Sequence, residues 1–472
     1  MTLDIPFDNS YARLPDAFFT SVTPEPASDP SLVGFNNQLA YELGISITDT
    51  AAIAAQLSGQ TLPKGAAPLA QVYAGHQFGS YNPQLGDGRA VLLGELIDTN
   101  GIRRDIQLKG SGRTPYSRMG DGKAWLGPVL REYVISEAMH ALGVPTTRAL
   151  AAVRTGERVV RETVLPGAVL TRVAQSHLRV GTFEYFARTG QIDALKLLTE
   201  YAINRHYPQA GGAISLLQNV VAAQAQLIPA WMSFGFIHGV MNTDNCTISG
   251  ETIDYGPCAF MDVYEPMKVF SSIDQMGRYA FGNQPRIVVW NMAQLATALI
   301  QQCDDKDAAV QEATRIVHAM PAALQRAWLA RFGRKIGLAD AQLEDEPLIQ
   351  DLFDLMAAQQ ADFTNTFRTL GTRKAREQFL DPQAFDAWDI RWSARVKSET
   401  DVDERLASAN PQRIPRNHQV EYMINAALGG DNAPFDRLLA SSATPFETQS
   451  AYRDLENAPT TAEIVPATFC GT

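Results

Sequence analysis

Two strand-length, apolar-rich runs, Arg89–Leu96 (RAVLLGEL) and Ile102–Leu108 (IRRDIQL), flank the tetrapeptide DTNG. Such runs on either side of an Asn-Gly pair predict a β-hairpin, because both residues tolerate the positive φ of a tight turn. Strand side chains alternate between faces. Ile106 and Leu108 therefore share one face of the second strand, and Asp105, Gln107 and Lys109 share the other. Lys109 closes that strand on its polar face. Further on, Pro128 suits the first turn of a helix. Val129, Leu130, Tyr133, Val134 and Leu142 recur at helical spacing, and Gly143 with Pro145 stops the run. Strand-like sequence returns from Val159 to Val173. Beyond about residue 185 the pattern is helical, in LLQNVVAAQAQLIPAWM, MAQLATALIQQ, DAAVQEATRIVHAM and LIQDLFDLMAAQQADF.

A strand-rich front and a helical back predict an α+β chain. They fit a protein-kinase-like, two-lobed architecture with a cleft between the lobes. The expected division is an N-terminal region and strand-rich lobe over 1–165, a helical lobe over 166–400, and a C-terminal extension over 401–472 that ends in Cys470. The 472 residues are 45% hydrophobic and 19% charged, enough to bury a substantial core. A net charge of -11 argues against an extended nucleic-acid surface, which needs clustered Lys and Arg. Four cysteines without a CxxC pair argue against a structural zinc site and for a reducing compartment. The N-terminus is acidic early and has no apolar core of a signal peptide. No run approaches the ~18 apolar residues of a membrane span. A cytoplasmic protein is expected.

The candidate chemistry lies in HGVMNTDNCTISGETIDYGP, His238 to Pro257. Small-molecule kinases read His-Gly-Asp at the start of such a stretch, and that Asp takes the acceptor's proton. Here the third residue is Val240, which cannot. Asn245 follows His238 by seven residues, the offset of the metal-binding Asn in H-G-D-x-x-x-x-N loops. Nine residues later Asp254-Tyr255-Gly256 reads like Asp-Phe-Gly. Asn and Asp oxygens suit Mg2+, which keeps waters and phosphate oxygens in its other positions. Ile248 and Ile253, around a Gly-Glu-Thr turn, predict a β-hairpin carrying both ligands. Asp244 is the nearest candidate base; the alternative is an Asp that only caps a turn. Lys109 suits phosphate as a compact ammonium on a flexible stem. Glu132 and Glu137 are both available to position it. They cannot share one helix face, and Glu132, nearer the helix start, is the expected partner. LGDGR (Gly86, Gly88, Arg89) and MGDGK (with Asp121 and Gly122) let backbone N–H groups approach phosphate, or are ordinary turns. Arg172 and Arg179, in LTRVAQSHLRVG, flank the expected lobe junction.

Four stretches closely resemble the selenoprotein O family: YAGHQFGSYNPQLGDGRAVLLGE, DIQLKGSGRTPYSRMGDGKAWL, LREYVISEAMHALGVPTTRAL and FIHGVMNTDNCTISGETIDYGPCAFMD. The resemblance is dense over about residues 65 to 290 and thinner elsewhere. It implies a kinase-like fold that binds ATP in a flipped orientation. It implies transfer of AMP, not phosphate, to Ser, Thr or Tyr hydroxyls of proteins, with release of pyrophosphate. Residue by residue, it makes Asp244 the proton acceptor and Asn245 and Asp254 the ligands of Mg2+, with Mn2+ as an alternative. Gly86, Gly88, Arg89, Lys109, Asp121, Gly122, Arg172 and Arg179 match nucleotide contacts, and Glu132 matches the carboxylate paired with the lysine. The expected partners are ATP and protein substrates, without nucleic acid or membrane, for a chain favoured as a monomer. Two other readings compete: a kinase transferring the γ-phosphate, and a non-catalytic ATP-binding scaffold. The resemblance also implies a redox role. Some members carry selenocysteine where TFCGT places Cys470, and can pair it with a cysteine after the Y-E-P segment. Met267 to Ser272 contains none here, and Cys258 is the nearest alternative.

Overall fold

A computed structural model describes residues 3–46 and 49–469. The strands of the first part of the chain are β1 (Phe19–Ser21), β2 (Ser31–Phe35), β3 (Leu69–Gln71), β4 (Gly75–Gln77), β5 (Ser80–Asn82), β6 (Ala90–Ile97), β7 (Arg103–Lys109), β8 (Ala124–Trp125), β9 (Arg148–Val160) and β10 (Val164–Ala174). Eight of them form one antiparallel sheet in the order β1-β3-β6-β7-β10-β9-β2, with β8 paired to β10. β4 and β5 make a separate hairpin.

The hairpin expected around Asn100-Gly101 is β6–β7, with Ala90 opposite Lys109 and Ile97 opposite Arg103. Its turn is tied by the Asp98 carboxylate, which accepts the N–H groups of Asn100 and Ile102. The single strand-like segment expected over 159–173 is instead two strands, because β10 turns back on β9 and β9 begins at Arg148. Ala149 to Val153 are buried on both faces. A strand buried on both faces shows no alternation, and an Ala-rich run carries no strand signature of its own. β10 also crosses the boundary expected at residue 165.

The helix expected after the Gly-rich loop spans Leu126–Ala141, with Pro128 in its first turn. It buries Leu130, Tyr133 and Val134 against Ala149, Ala152 and Leu170 of the sheet. Two late helices, Asn417–Leu428 and Ala433–Ser442, return to the same helix; Met423, Ile424 and Phe435 join Tyr133 in one core cluster. These two helices are thus packed on the strand-rich part of the molecule.

After β10 the chain is mainly helical. Ala213–Ser233 and Lys306–Lys335 contain two of the four helical segments read from the pattern; Gln284–Ile300 and Glu346–Gln359 end two and four residues before the other two do. A two-residue strand pair, β11 (Phe236–Ile237) with β12 (Ala259–Phe260), brackets the His238–Pro257 stretch. Within it the expected hairpin does not form. Thr247 bridges to Arg179 and Thr252 to Thr146, so each arm pairs with a different part of the chain. The Thr247 hydroxyl substitutes for the missing ladder by donating to the Glu251 carbonyl and accepting its N–H. No helix of the described residues is long and apolar enough to cross a membrane.

Candidate active site

A cleft of about 780 Å3 opens between the sheet and the His238–Pro257 stretch. Gly86, Gly88, Arg89, Lys109, Asp121, Gly122, Arg172, Arg179, Asp244, Asn245 and Asp254 all line it. The remaining expected residue, Glu132, is buried directly behind Lys109.

Position on neighbouring strands brings the cations together. Lys109 ends β7, and Arg172 sits on β10 opposite Gln107 of β7. Lys109 Nζ donates to Glu132 Oε2 at 2.6 Å and to Asp254 Oδ1 at 2.7 Å. Glu137, the other candidate partner, turns away to Arg148 at 2.8 Å. Arg172 donates to Asp254 Oδ1 at 2.7 Å, Glu132 Oε1 at 3.2 Å and Gln107 Oε1 at 2.6 Å. Its Nε donates to His177 Nε2 at 3.2 Å, while His177 Nδ1 faces Asp105 Oδ2 at 2.9 Å. That pattern requires a neutral ring with its proton on Nδ1. Burial pushes the His177 pKa down to about 4; Asp105 opposes the shift and Arg172 adds to it. Arg179 reaches Asp254 Oδ2 at 3.2 Å and stacks over the Tyr73 ring at 4.5 Å. Burial alone would raise the Asp254 carboxyl, but Lys109, Arg172 and Arg179 overcome it and hold it well below the usual carboxylate range. Asp254 also has φ +61, an uncommon conformation for a residue with a Cβ.

Asp244 has a different environment. It lies in the single turn Thr243–Asn245 and is 8% exposed. Its Oδ2 accepts the Gln77 amide at 3.1 Å; its Oδ1 is buried without a hydrogen-bond partner among the described residues. Gly75 packs so closely that a Cβ there would lie 2.5 Å from Oδ1. Burial pushes the carboxyl up to about 7, against Gln77 and Arg179. A carboxylate near neutrality inside a cleft suits a general base. Asn245 donates its amide to the Val240 carbonyl at 2.9 Å, which leaves the side-chain oxygen to meet a cation. His238 Nε2 bonds the Ile253 carbonyl at 2.7 Å and so ties the start of the stretch to Asp254. At the opposite rim, Asp121 is held by both nitrogens of Arg161 at 2.9 and 3.1 Å. Gly122 comes so near Gly112 that a Cβ would lie 2.1 Å from its carbonyl oxygen.

Comparison with known proteins bears on this arrangement. The family model described as "Protein adenylyltransferase SelO" matches residues 1–443. The chain belongs to the SelO family. It is 66% identical over 472 residues to the protein nucleotidyltransferase YdiU of Roseobacter denitrificans, covering 100% of both chains. It is 62% identical to that of Ruegeria pomeroyi, again over 100% of both, and 54% identical to that of a Jannaschia species over 99% of both.

In this SelO-family chain several residues that line the cleft, and His177 buried behind it, were not singled out from the sequence. Asp87 stands between Gly86 and Gly88, 1% exposed, with Oδ1 lacking a hydrogen-bond partner among the described residues but ion-paired with Arg179 at 3.7 Å. Burial raises its carboxyl, and Arg179 opposes. His177, Gln77, Tyr73 and Arg161 were missed too. The available signal was position: Asp87 lies inside LGDGR and His177 inside LTRVAQSHLRVG. Among the described residues no group of three or more His, Cys, Asp or Glu could hold a metal ion. Cys470, the redox candidate, lies outside the described residues. Cys258 is fully buried, and burial pushes its thiol up to about 12.

Proposed function

We infer that this SelO-family chain is a protein nucleotidyltransferase that moves AMP from ATP to hydroxyl side chains of proteins and releases pyrophosphate. One observation carries the reading: the cleft separates its charges. Lys109, Arg172 and Arg179 converge on the single carboxylate Asp254. Asp244, near neutral, stands apart from them with one oxygen unpaired. Three cations face two carboxylates, Asp254 and Glu132, and the positive charge left over attracts a triphosphate.

The lysine strand, the helix bearing its glutamate and the loop bearing Asn245 and Asp254 support a protein-kinase-like molecule of two lobes. Its strand-rich lobe would end at Ala174, with β10. In this reading the Asp244 carboxylate accepts the proton of the incoming hydroxyl. The hydroxyl oxygen bonds to the α-phosphorus, and the bond from that phosphorus to the β-bridging oxygen breaks. Lys109, Arg172 and Arg179 hold the charge that grows on the departing pyrophosphate. Asn245 and Asp254 would hold Mg2+: both donors are oxygens, and the carboxylate is ionised, as a hard cation requires. When bound, the ion polarises phosphate oxygens and relieves their repulsion of the nucleophile. The few cysteines support a cytoplasmic setting, and the acidic surface charge supports protein rather than nucleic-acid partners.

The test uses ATP labelled on the α- or the γ-phosphate, incubated with the protein, Mg2+ and a cell extract, alongside Asp254→Ala. Label should enter protein only from the α-position and only without the substitution. Label from the γ-position alone would make the chain a kinase. Label from neither, with ATP still bound, would leave a scaffold.

A further inference from the structure

Phe78 has φ +51, a conformation suited to glycine, and the residue is 38% exposed. It forms the turn of the β4–β5 hairpin with Gly79. For a bulky residue a positive φ is an outlier, and it persists only where the surroundings enforce it. Those surroundings are the candidate catalytic machinery. The Phe78 N–H is 3.1 Å from Asn242 Oδ1 and 3.1 Å from the Tyr279 hydroxyl, which itself donates to Asn242 at 2.5 Å. Asn242 lies two residues before Asp244, and the adjacent Gln77 holds the Asp244 carboxylate. The Phe78 ring packs on Tyr279, with centroids 5.1 Å apart. A turn formed for its own sake would take Gly, Asn or Asp here. A ring retained for core packing would be buried. Phe78 meets neither description.

We propose that Phe78 is a docking platform for the acceptor protein: its ring packs against an apolar or aromatic side chain beside the hydroxyl that receives the nucleotide. Acceptors whose Ser, Thr or Tyr has an apolar neighbour are thereby selected. The proposal rests on Asp244 as the proton acceptor, since Gln77 and Asn242 tie the ring to that carboxylate. Phe78 itself stands just outside the cleft that its neighbour Gln77 lines; Met119, 94% exposed, lines that cleft and adds apolar surface to it.

The test is transfer to an array of Ser, Thr and Tyr peptides with apolar, charged or glycine flanks, with α- and γ-labelled ATP in parallel. The full chain is compared with Phe78→Ala, Phe78→Gly and Phe78→Trp. The unsubstituted chain should favour apolar flanks about tenfold in kcat/KM, the scale of one apolar contact. Phe78→Ala and Phe78→Gly should erase that preference while labelled ATP binds within about twofold of normal, and Phe78→Trp should keep it. Phe78→Gly should also melt at a higher temperature, because glycine relieves the positive φ. Equal transfer to all flanks, a preference surviving in Phe78→Ala, loss of ATP binding in step with transfer, or no transfer to any peptide would each overturn the platform. Dependence on Phe78 with the γ-label alone would uphold the platform and overturn AMP transfer. The α-label without that dependence would do the reverse.

Discussion

Asp244→Asn keeps the shape of the side chain and removes its charge. In the folded protein burial lifts the Asp244 carboxyl from 3.8 to about 7. Between those values the folded state keeps a proton that the unfolded chain has lost. Each pH unit across that window therefore costs the folded state about 1.4 kcal/mol. Over roughly three units the penalty reaches about 4 kcal/mol, fully present above pH 7 and absent below pH 4. Asn does not titrate, and its oxygen can still accept the Gln77 amide that Asp244 accepts at 3.1 Å. The variant should therefore be more stable than the unsubstituted protein by about 4 kcal/mol at pH 8, and equal to it at pH 4. An unfolding entropy of about 2.1 cal/mol/K per residue makes that about 4 °C in Tm for a chain of this length. Scanning calorimetry without nucleotide or metal, from about pH 4 to 8, measures it. The same variant should lose about 10²–10⁴-fold in AMP transfer, the contribution of a positioned base. A variant less stable at pH 8, or a difference that does not shrink towards pH 4, would refute the assignment of Asp244 as a carboxylate kept at the expense of stability.

Two further substitutions test the supports of the cleft. Gly75→Ala places a Cβ 2.5 Å from Asp244 Oδ1 and should lower transfer at least about tenfold, as a displaced base does, while equilibrium dialysis shows unchanged ATP binding. Loss of both together would point to a folding defect. His177→Phe leaves Arg172 Nε without its buried acceptor, at a cost of about 1–3 kcal/mol. It should weaken binding of inorganic pyrophosphate about tenfold by titration calorimetry. His177→Gln, which again offers a donor to Asp105 and an acceptor to Arg172, should recover it. Equal behaviour of the two His177 variants would sink the idea that His177 aims Arg172, whereas an Arg172→Ala protein with normal pyrophosphate binding would remove Arg172 from the phosphate site.

Local chemistry was legible in the sequence. The β6–β7 hairpin follows from Asn100-Gly101, and the end of the Leu126–Ala141 helix follows from Gly143 and Pro145, because turn and cap residues act on their immediate neighbours. Spacing and resemblance also named the residues that meet in the cleft. Other features depended on partners distant in the chain. The first part of β9 was hidden because Ala149 to Val153 are buried on both faces, and the Ile248–Ile253 arms were misread because alternation does not say which segment a strand joins. The face of β7 bearing Asp105, Gln107 and Lys109 was read as polar, and it is; only the fold shows that it is buried, where each group needs a partner. Asp87 and His177 follow from that burial. The clearest contrast is between Asp244 and Asp254, identical side chains ten residues apart. The sequence determines that both are carboxylates at useful spacing. Tertiary structure alone surrounds Asp254 with Lys109, Arg172 and Arg179, and leaves Asp244 buried with little beside Gln77. One is therefore driven well below its ordinary pKa and the other up to about 7. In a low dielectric, ionisation is set by which charges the fold brings within a few ångströms, and no local pattern records that.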